Sequence, residues 1–209
     1  IIPLERFLTR RFGGVRAGWR TLVSRYWLQR LDRLPGYVTH LKDKEMDNLK
    51  VNAPVGEPII IMTRTFDAPR ALVWKAMTEL EHIARWWGAS SFTAKVVVKT
   101  YDPRVGGEWR FESHGTDGKV FVFHGKFLAI NGPHRVVQTF GMEGMFEGKL
   151  IVEDMTLEEL PDGKTLYRQL SSYDSVADRD GMVASGMEVG ARETLEQLAV
   201  VIAELKSST

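Results

Sequence analysis

The sequence predicts an α+β domain in which a curved antiparallel sheet wraps around one long C-terminal helix, with a cavity between them. Three observations predict it. A strand-like run ending at Phe66 passes through Asp67-Ala68-Pro69 into helical spacing that closes on Trp86-Trp87-Gly88. A long series of alternating apolar and polar residues follows, cut by turn signals at Asp102-Pro103, Asp117-Gly118, Asn131-Gly132-Pro133 and Pro161-Asp162-Gly163. A last helical pattern then places Met187, Ala191, Leu195, Leu198, Ile202 and Leu205 on one face.

Taken in order, Ile59 to Phe66 is β-rich and reads as a strand. Pro69 suits the first turn of a helix, where a missing N–H costs nothing. Thr78-Glu79-Leu80-Glu81 has the form of a capping box opening a second short helix, and Gly88 suits the position just past its end. Six strands are expected next: Phe92 to Tyr101, Glu108 to Glu112, Val120 to Ile130, His134 to Gly141, Lys149 to Leu160, and Thr165 to Tyr173. Ser175 with Asp178 reads as an N-cap pair for the last helical region. The order is β-α-α, six strands, α, which makes a sheet of about seven strands.

Composition bounds the function. The chain has 209 residues, of which 44% are hydrophobic, enough for one sizeable core with an extension. There is no cysteine, so disulfides and thiolate metal sites are excluded, and a reducing, cytoplasmic setting is expected. No apolar run approaches the ~20 residues that a membrane span needs. The formal net charge of +1 hides an asymmetry: residues 1–45 carry ten Lys/Arg against four acids, whereas residues 46–209 are net negative. The negative main body argues against nucleic-acid binding there.

Residues 1–45 therefore form a separate basic extension with largely helical apolar spacing, interrupted at Gly13-Gly14 and stopped at Pro35-Gly36. Three readings stay open: an amphipathic helix for a membrane surface or partner, an Arg-rich targeting segment, or translated sequence upstream of a start at Met46. Residues 46–58 read as a linker, and residues 59–209 as the main domain.

Several pieces of that domain resemble one family. They are Arg64-Thr65-Phe66-Asp67-Ala68-Pro69, Val73-Trp74-Lys75-Ala76, Trp86-Trp87-Gly88, Gly106-Gly107-Glu108-Trp109-Arg110-Phe111, Asp117-Gly118, Gly125, Met155-Thr156-Leu157, Asp162-Gly163-Lys164-Thr165 and Ser185-Gly186-Met187-Glu188-Val189-Gly190. In this order they resemble the branch of the START-like superfamily (SRPBCC) related to activators of the Hsp-ninety ATPase. The resemblance covers about two thirds of the chain and implies a helix-grip (START/Bet v-like) fold. It does not imply one function, because superfamily members include lipid carriers, hormone receptors, polyketide cyclases and chaperone activators.

The expected site is the cavity. Its candidate lining residues are Trp86, Trp87, Trp109, Phe111, Phe121, Phe123, Phe140, Tyr173, Met182 and Met187, aromatic and Met walls that suit a flat or branched apolar molecule. The same residues also suit an ordinary core. Glu153 shares a strand face with Ile151, Met155 and Leu157, so its carboxylate would be desolvated unless paired with an Arg or placed at a solvated sheet end. His124 alternates with Val122 and Lys126, and His82 borders the expected cavity mouth. Gly181, Gly186 and Gly190 interrupt a good helix sequence. They mark a helix break, close approach of helix to sheet, or a hinge that opens the cavity; the resemblance, whose pattern contains Gly186 and Gly190, implies packing for those two.

No catalytic constellation, metal site or cofactor is expected: the five histidines show no HxH or HxxxH spacing, and there is no GxSxG, P-loop or GxGxxG. The sequence reads as a protein that binds a small hydrophobic or aromatic molecule, rather than as an enzyme. A protein-interaction module acting on a chaperone or other partner, and a cyclase- or hydrolase-like enzyme, are the alternatives. Exposed strand edges allow a homodimer.

Overall fold

In a computed structural model, residues 49–88, 91–144 and 149–208 are described. The basic extension over residues 1–45 lies outside them. Among the described residues an open sheet of eight antiparallel strands stands against four helices.

The strands are β1 (Lys50–Asn52), β2 (Ile59–Phe66), β3 (Thr93–Tyr101), β4 (Glu108–Gly115), β5 (Val120–Asn131), β6 (Arg135–Met142), β7 (Ile151–Glu159) and β8 (Thr165–Ser172). Their order across the sheet is β1-β2-β8-β7-β6-β5-β4-β3. Seven match the expected strands closely. The eighth, β1, pairs with β2 inside the stretch that reads as a linker. Three residues beside Pro54 and Gly56 are too few to show a period of two.

Turn chemistry sets the meander. Gly118 and Gly163 take left-handed φ values of 81° and 76° at the β4–β5 and β7–β8 hairpins, a conformation that glycine adopts without a Cβ clash. β2 alternates strictly, with Ile60, Met62, Arg64 and Phe66 turned into the interior.

Helices α1 (Arg70–Thr78) and α2 (Leu80–Trp86) follow β2. Pro69 sits at the N-cap of α1 in extended conformation. The expected capping box does not form: Glu79 occupies the N-cap of α2 with no side-chain bond, and the Thr78 hydroxyl instead donates to the Trp74 carbonyl at 2.8 Å. Thr78 is still the last residue of α1, where a hydroxyl finds the carbonyl four residues back more readily than an N–H ahead. Helix α2 ends as expected, with Gly88 at φ 60°.

Helices α3 (Val176–Ala184) and α4 (Met187–Ser207) complete the domain. Ser175 caps α3: its Oγ accepts from the Asp178 N–H at 3.1 Å and donates to the Asp178 carboxylate at 2.6 Å. The break between the two helices falls at Gly186, whose φ of 79° makes it a turn residue. That corrects the expectation of a packing glycine there. Gly181 is no close-approach glycine either, since a Cβ on it would meet nothing within 4 Å.

Helix α4 buries Leu195, Leu198, Val201 and Ile202 in a core shared with β2, β7, β8 and α1. A second cluster, built from Ile83, Trp109, Phe111, Phe127 and Val136, fills the other half of the sheet. Trp74, Trp87, Phe140 and Met155 touch both clusters. No helix among the described residues is long and apolar enough to cross a membrane.

Candidate functional site

The seam between the two clusters is where polar and aromatic side chains meet inside the fold. Residues paired directly across antiparallel strands share a face. The registers therefore align Phe127, Gln138, Glu153, Ser171 and Ile60 in one row across β5, β6, β7, β8 and β2. The next row holds Val136, Met155, Gln169 and Met62. An apolar strand face thus carries a polar line through its middle.

Glu153 is the centre of that line. Its two carboxylate oxygens accept from Gln138 Nε2 at 3.0 Å and Gln169 Nε2 at 2.8 Å. Gln169 Nε2 lies 3.1 Å from the Ser171 hydroxyl, and the Tyr167 hydroxyl donates to Gln169 Oε1 at 2.5 Å. Among the described residues no arginine pairs with Glu153, and it does not sit at a solvated sheet end. Desolvation outweighs the two amide bonds and pushes its pKa up to about 7. Burial, and then the charge of Glu153, push the half-buried Tyr173 hydroxyl upward, so it stays neutral. Further along, Arg64 lies across from Tyr167 and is 4% exposed. Its guanidinium stands 5.5 Å from the Phe66 ring centre.

The aromatic side of the seam is organised by Trp87. Trp86 ends α2 inside the core and donates from its indole Nε1 to the Ala76 carbonyl at 2.9 Å, locking α2 onto α1. That anchor aims the next residue at the sheet. Trp87 meets Phe111, Phe123 and Trp109 edge-on, with ring centres at 4.8, 5.0 and 5.8 Å. Phe140 continues the cluster at 5.7 Å from Phe123 and 6.1 Å from Trp109. Trp109 lies over Gly125, its partner in register: a Cβ there would stand 2.6 Å from the indole Nε1 and 1.9 Å from the Thr139 carbonyl oxygen.

Coverage of the concave face is uneven. Ile60, Met62, Tyr167, Ile151, Leu157, Phe127 and Val136 are buried. Phe123, Gln138, Phe140, Glu153 and Met155, between them on the same face, keep accessible surface. Trp87, Tyr173 and Met187 are also half-buried. A cleft at this level, bordered by Phe140, Ile151 and Tyr173, has a volume of about 10 Å³, roughly one water molecule.

The eleven residues singled out in the sequence therefore divide by location. Trp87, Trp109, Phe111, Phe123 and Phe140 form one cluster, with Glu153 one strand away. Phe121 stands two residues further along β5, opposite Ser113. Met182 is buried in the α4 core, with Tyr173 and Met187 packed at its margin. Trp86 is held in the helix–helix core by its bond to Ala76. Sequence reasoning missed Gln138, Gln169 and Ser171. Little in the local sequence marks them, and only the register of β6, β7 and β8 brings Gln138, Ser171 and Gln169 beside Glu153.

A scan against protein-family models matches residues 67–203 to "Activator of Hsp90 ATPase homolog 1-like protein". Similar solved structures include a protein from Arthrobacter aurescens, 26% identical with a TM-score of 0.67, over 74% of this chain and 91% of that one. A protein from Rhodobacter sphaeroides is 22% identical with a TM-score of 0.66, over 76% and 99%. One from Mycobacterium smegmatis is 20% identical with a TM-score of 0.65, over 73% and 94%. The last two likenesses bear on the fold alone. A search of curated proteins found no significant match.

Proposed function

The chain belongs to the activator of Hsp90 ATPase homolog 1-like family, and on that premise we propose that it binds one small apolar or aromatic molecule between the concave face of the sheet and α4. The observation that carries this reading is the uncovered middle of the concave face, where Phe123, Gln138, Phe140, Glu153 and Met155 keep accessible surface among buried neighbours. An aromatic wall beside a short polar line is the composition of a small-molecule site, in which apolar area supplies affinity and a few polar groups fix orientation. Glu153, with its pKa near 7, can donate as an acid or accept as an anion, so it suits a ligand bearing one hydroxyl or carbonyl group.

Entry requires side chains to move. Trp87 is half-buried, is held among the described residues by ring and apolar contacts and by the backbone after α2, and is the natural gate. A ligand burying about 400 Å² of apolar surface gains about 10 kcal/mol, and association costs of at least about 4 kcal/mol leave binding at tens of micromolar or weaker.

One observation favours a second reading, a protein-interaction module. The faces around Trp87 are filled by the protein's own rings. In that case the exposed surface would carry the contact, with a chaperone as the partner class the family name suggests. A cyclase- or hydrolase-like enzyme has less support, because among the described residues both hydrogen-bond partners of the Glu153 carboxylate are amides rather than a second acid or base.

Native mass spectrometry of the purified chain, before and after denaturing extraction, tests the first reading. A co-purifying small molecule that leaves on denaturation supports it. A clean mass, together with no binding of an apolar fluorophore such as anilinonaphthalene sulfonate, overturns it and favours the interaction module.

A further inference from the structure

Away from the seam, the junction of α1 and α2 gathers two carboxylates and an imidazole. Glu79 is extended, at φ −82° and ψ 133°, and its carbonyl accepts from the N–H groups of His82 at 3.0 Å and Ile83 at 3.2 Å. That tight return folds the side chains of Glu79, Glu81 and His82 onto one another. His82 Nε2 stands 3.2 Å from a Glu81 carboxylate oxygen and 3.6 Å from one of Glu79. One atom from each residue fits within a 4.8 Å group.

The imidazole is the unexplained part. His82 is 6% exposed, yet among the described residues neither ring nitrogen makes a hydrogen bond. Its approaches to the two glutamates are close but misaligned for hydrogen bonding. Burying an imidazole without partners is unfavourable, so such a group in a native fold calls for a missing partner.

We propose that Glu79, Glu81 and His82 bind a divalent cation of the zinc type through Nε2 and one oxygen from each carboxylate. Zinc bonds to nitrogen and oxygen are about 2.0–2.1 Å, which places adjacent tetrahedral ligands about 3.3 Å apart. The two nitrogen–oxygen separations, 3.2 and 3.6 Å, straddle that edge. One imidazole with two carboxylates suits zinc and its first-row neighbours better than magnesium or calcium, which prefer an all-oxygen shell. The glutamate side chains are 47% and 70% exposed, so the ion has an entry path and the fourth position is left to water. Lys75 Nζ, 3.7 Å from Glu79 Oε2, would be displaced. Its side chain is 44% exposed and free to swing into solvent. The ion would fasten the corner from which Trp86 and Trp87 are aimed. The sequence gives little notice of this site, because a search for paired histidines passes over one histidine preceded by two glutamates.

Isothermal titration of the full chain with zinc chloride, after chelator treatment, tests the proposal. The expected result is one equivalent bound at micromolar affinity, weakened at least about tenfold in Glu81→Gln and in Glu79→Gln. Both glutamates are exposed, so these variants should keep the fold, as circular dichroism will check. A thermal melt of the wild-type chain should rise by about 5 °C at saturating zinc. No zinc binding by the wild-type chain, or binding undiminished from wild type in both variants, would overturn the site; the second result would place the metal elsewhere, for example at His114 and Glu112, which lie 3.0 Å apart.

Discussion

Replacing Glu153 by Gln keeps the shape of the side chain and removes its titration. In the folded chain the carboxyl titrates near 7 rather than at its ordinary 4.5. The folded state therefore holds a proton that the unfolded state releases between those two pH values. Stability is fully present below pH 4.5, falls as pH rises toward 7, and is flat above it. At about 1.36 kcal/mol per pH unit the full shift amounts to about 3.4 kcal/mol. Glu153 keeps some accessible surface, so water shares part of its charge, and about 2 kcal/mol is the expected loss.

The Gln variant has no such slope. Its amide must be accommodated beside Gln138 and Gln169, which requires one neighbouring amide to turn over, but that cost does not vary with pH. Urea unfolding of both proteins, followed by circular dichroism at pH 5 and pH 8, isolates the carboxyl. About a quarter of the loss has already occurred at pH 5, so the variant should gain about 1.5 kcal/mol on the wild type between the two pH values. A gap that changes by less than about 0.5 kcal/mol would mean an ordinary solvated carboxyl. A gap that moves the other way would mean that the amides stabilise the anion, and the neutral-acid reasoning would fail.

Other positions make independent predictions. Trp87→Ala removes three edge-on ring contacts from a half-buried site, so urea denaturation should show a loss of about 2–3 kcal/mol. The same variant should bind an apolar fluorophore more strongly, read by emission. Gly125→Ala puts a Cβ 1.9 Å from the Thr139 carbonyl oxygen, a backbone atom that cannot yield, so a loss of about 3 kcal/mol or more is expected by chemical denaturation. Ser175→Ala removes the cap of α3 and should lower the melting temperature by about 2–4 °C, from about 1 kcal/mol.

The sequence carried the architecture because each element is written locally. The seven expected strands are β-rich or alternating runs bounded by turn or helix signals, and α4 shows its apolar stripe without help from the rest of the chain. Two features failed for local reasons: three residues of β1 are too short to carry a period, and the Thr78 hydroxyl had a second acceptor one turn back. The site is different in kind. Glu153 stood out because it interrupts an apolar face, but its partners come from β6 and β8, and a slip of one residue in either strand would turn Gln138 or Gln169 to the outside. Trp86 and Trp87 look equivalent in sequence, and only the end of α2 separates the core anchor from the residue that meets the sheet.

That seam follows from dimensions as much as from sequence. Eight strands at about 4.8 Å spacing make a sheet about 34 Å across. One helix, about 10 Å wide with its side chains, cannot cover it. Helix α4 closes over β2, β7 and β8, where Ile60, Leu157 and Tyr167 are buried. The far strands must be closed by side chains, and the cluster of Trp87, Trp109, Phe111, Phe123 and Phe140 does that. Between the two closures lies ground that neither covers fully, and there the chain places Gln138 and Glu153 rather than two more leucines. Polar groups at such a point cost stability, by the argument given for Glu153, and a fold that needed only a core would gain by replacing them. Their presence at a stretch of the concave face that the described residues cover poorly is the physical reason to look for a ligand there.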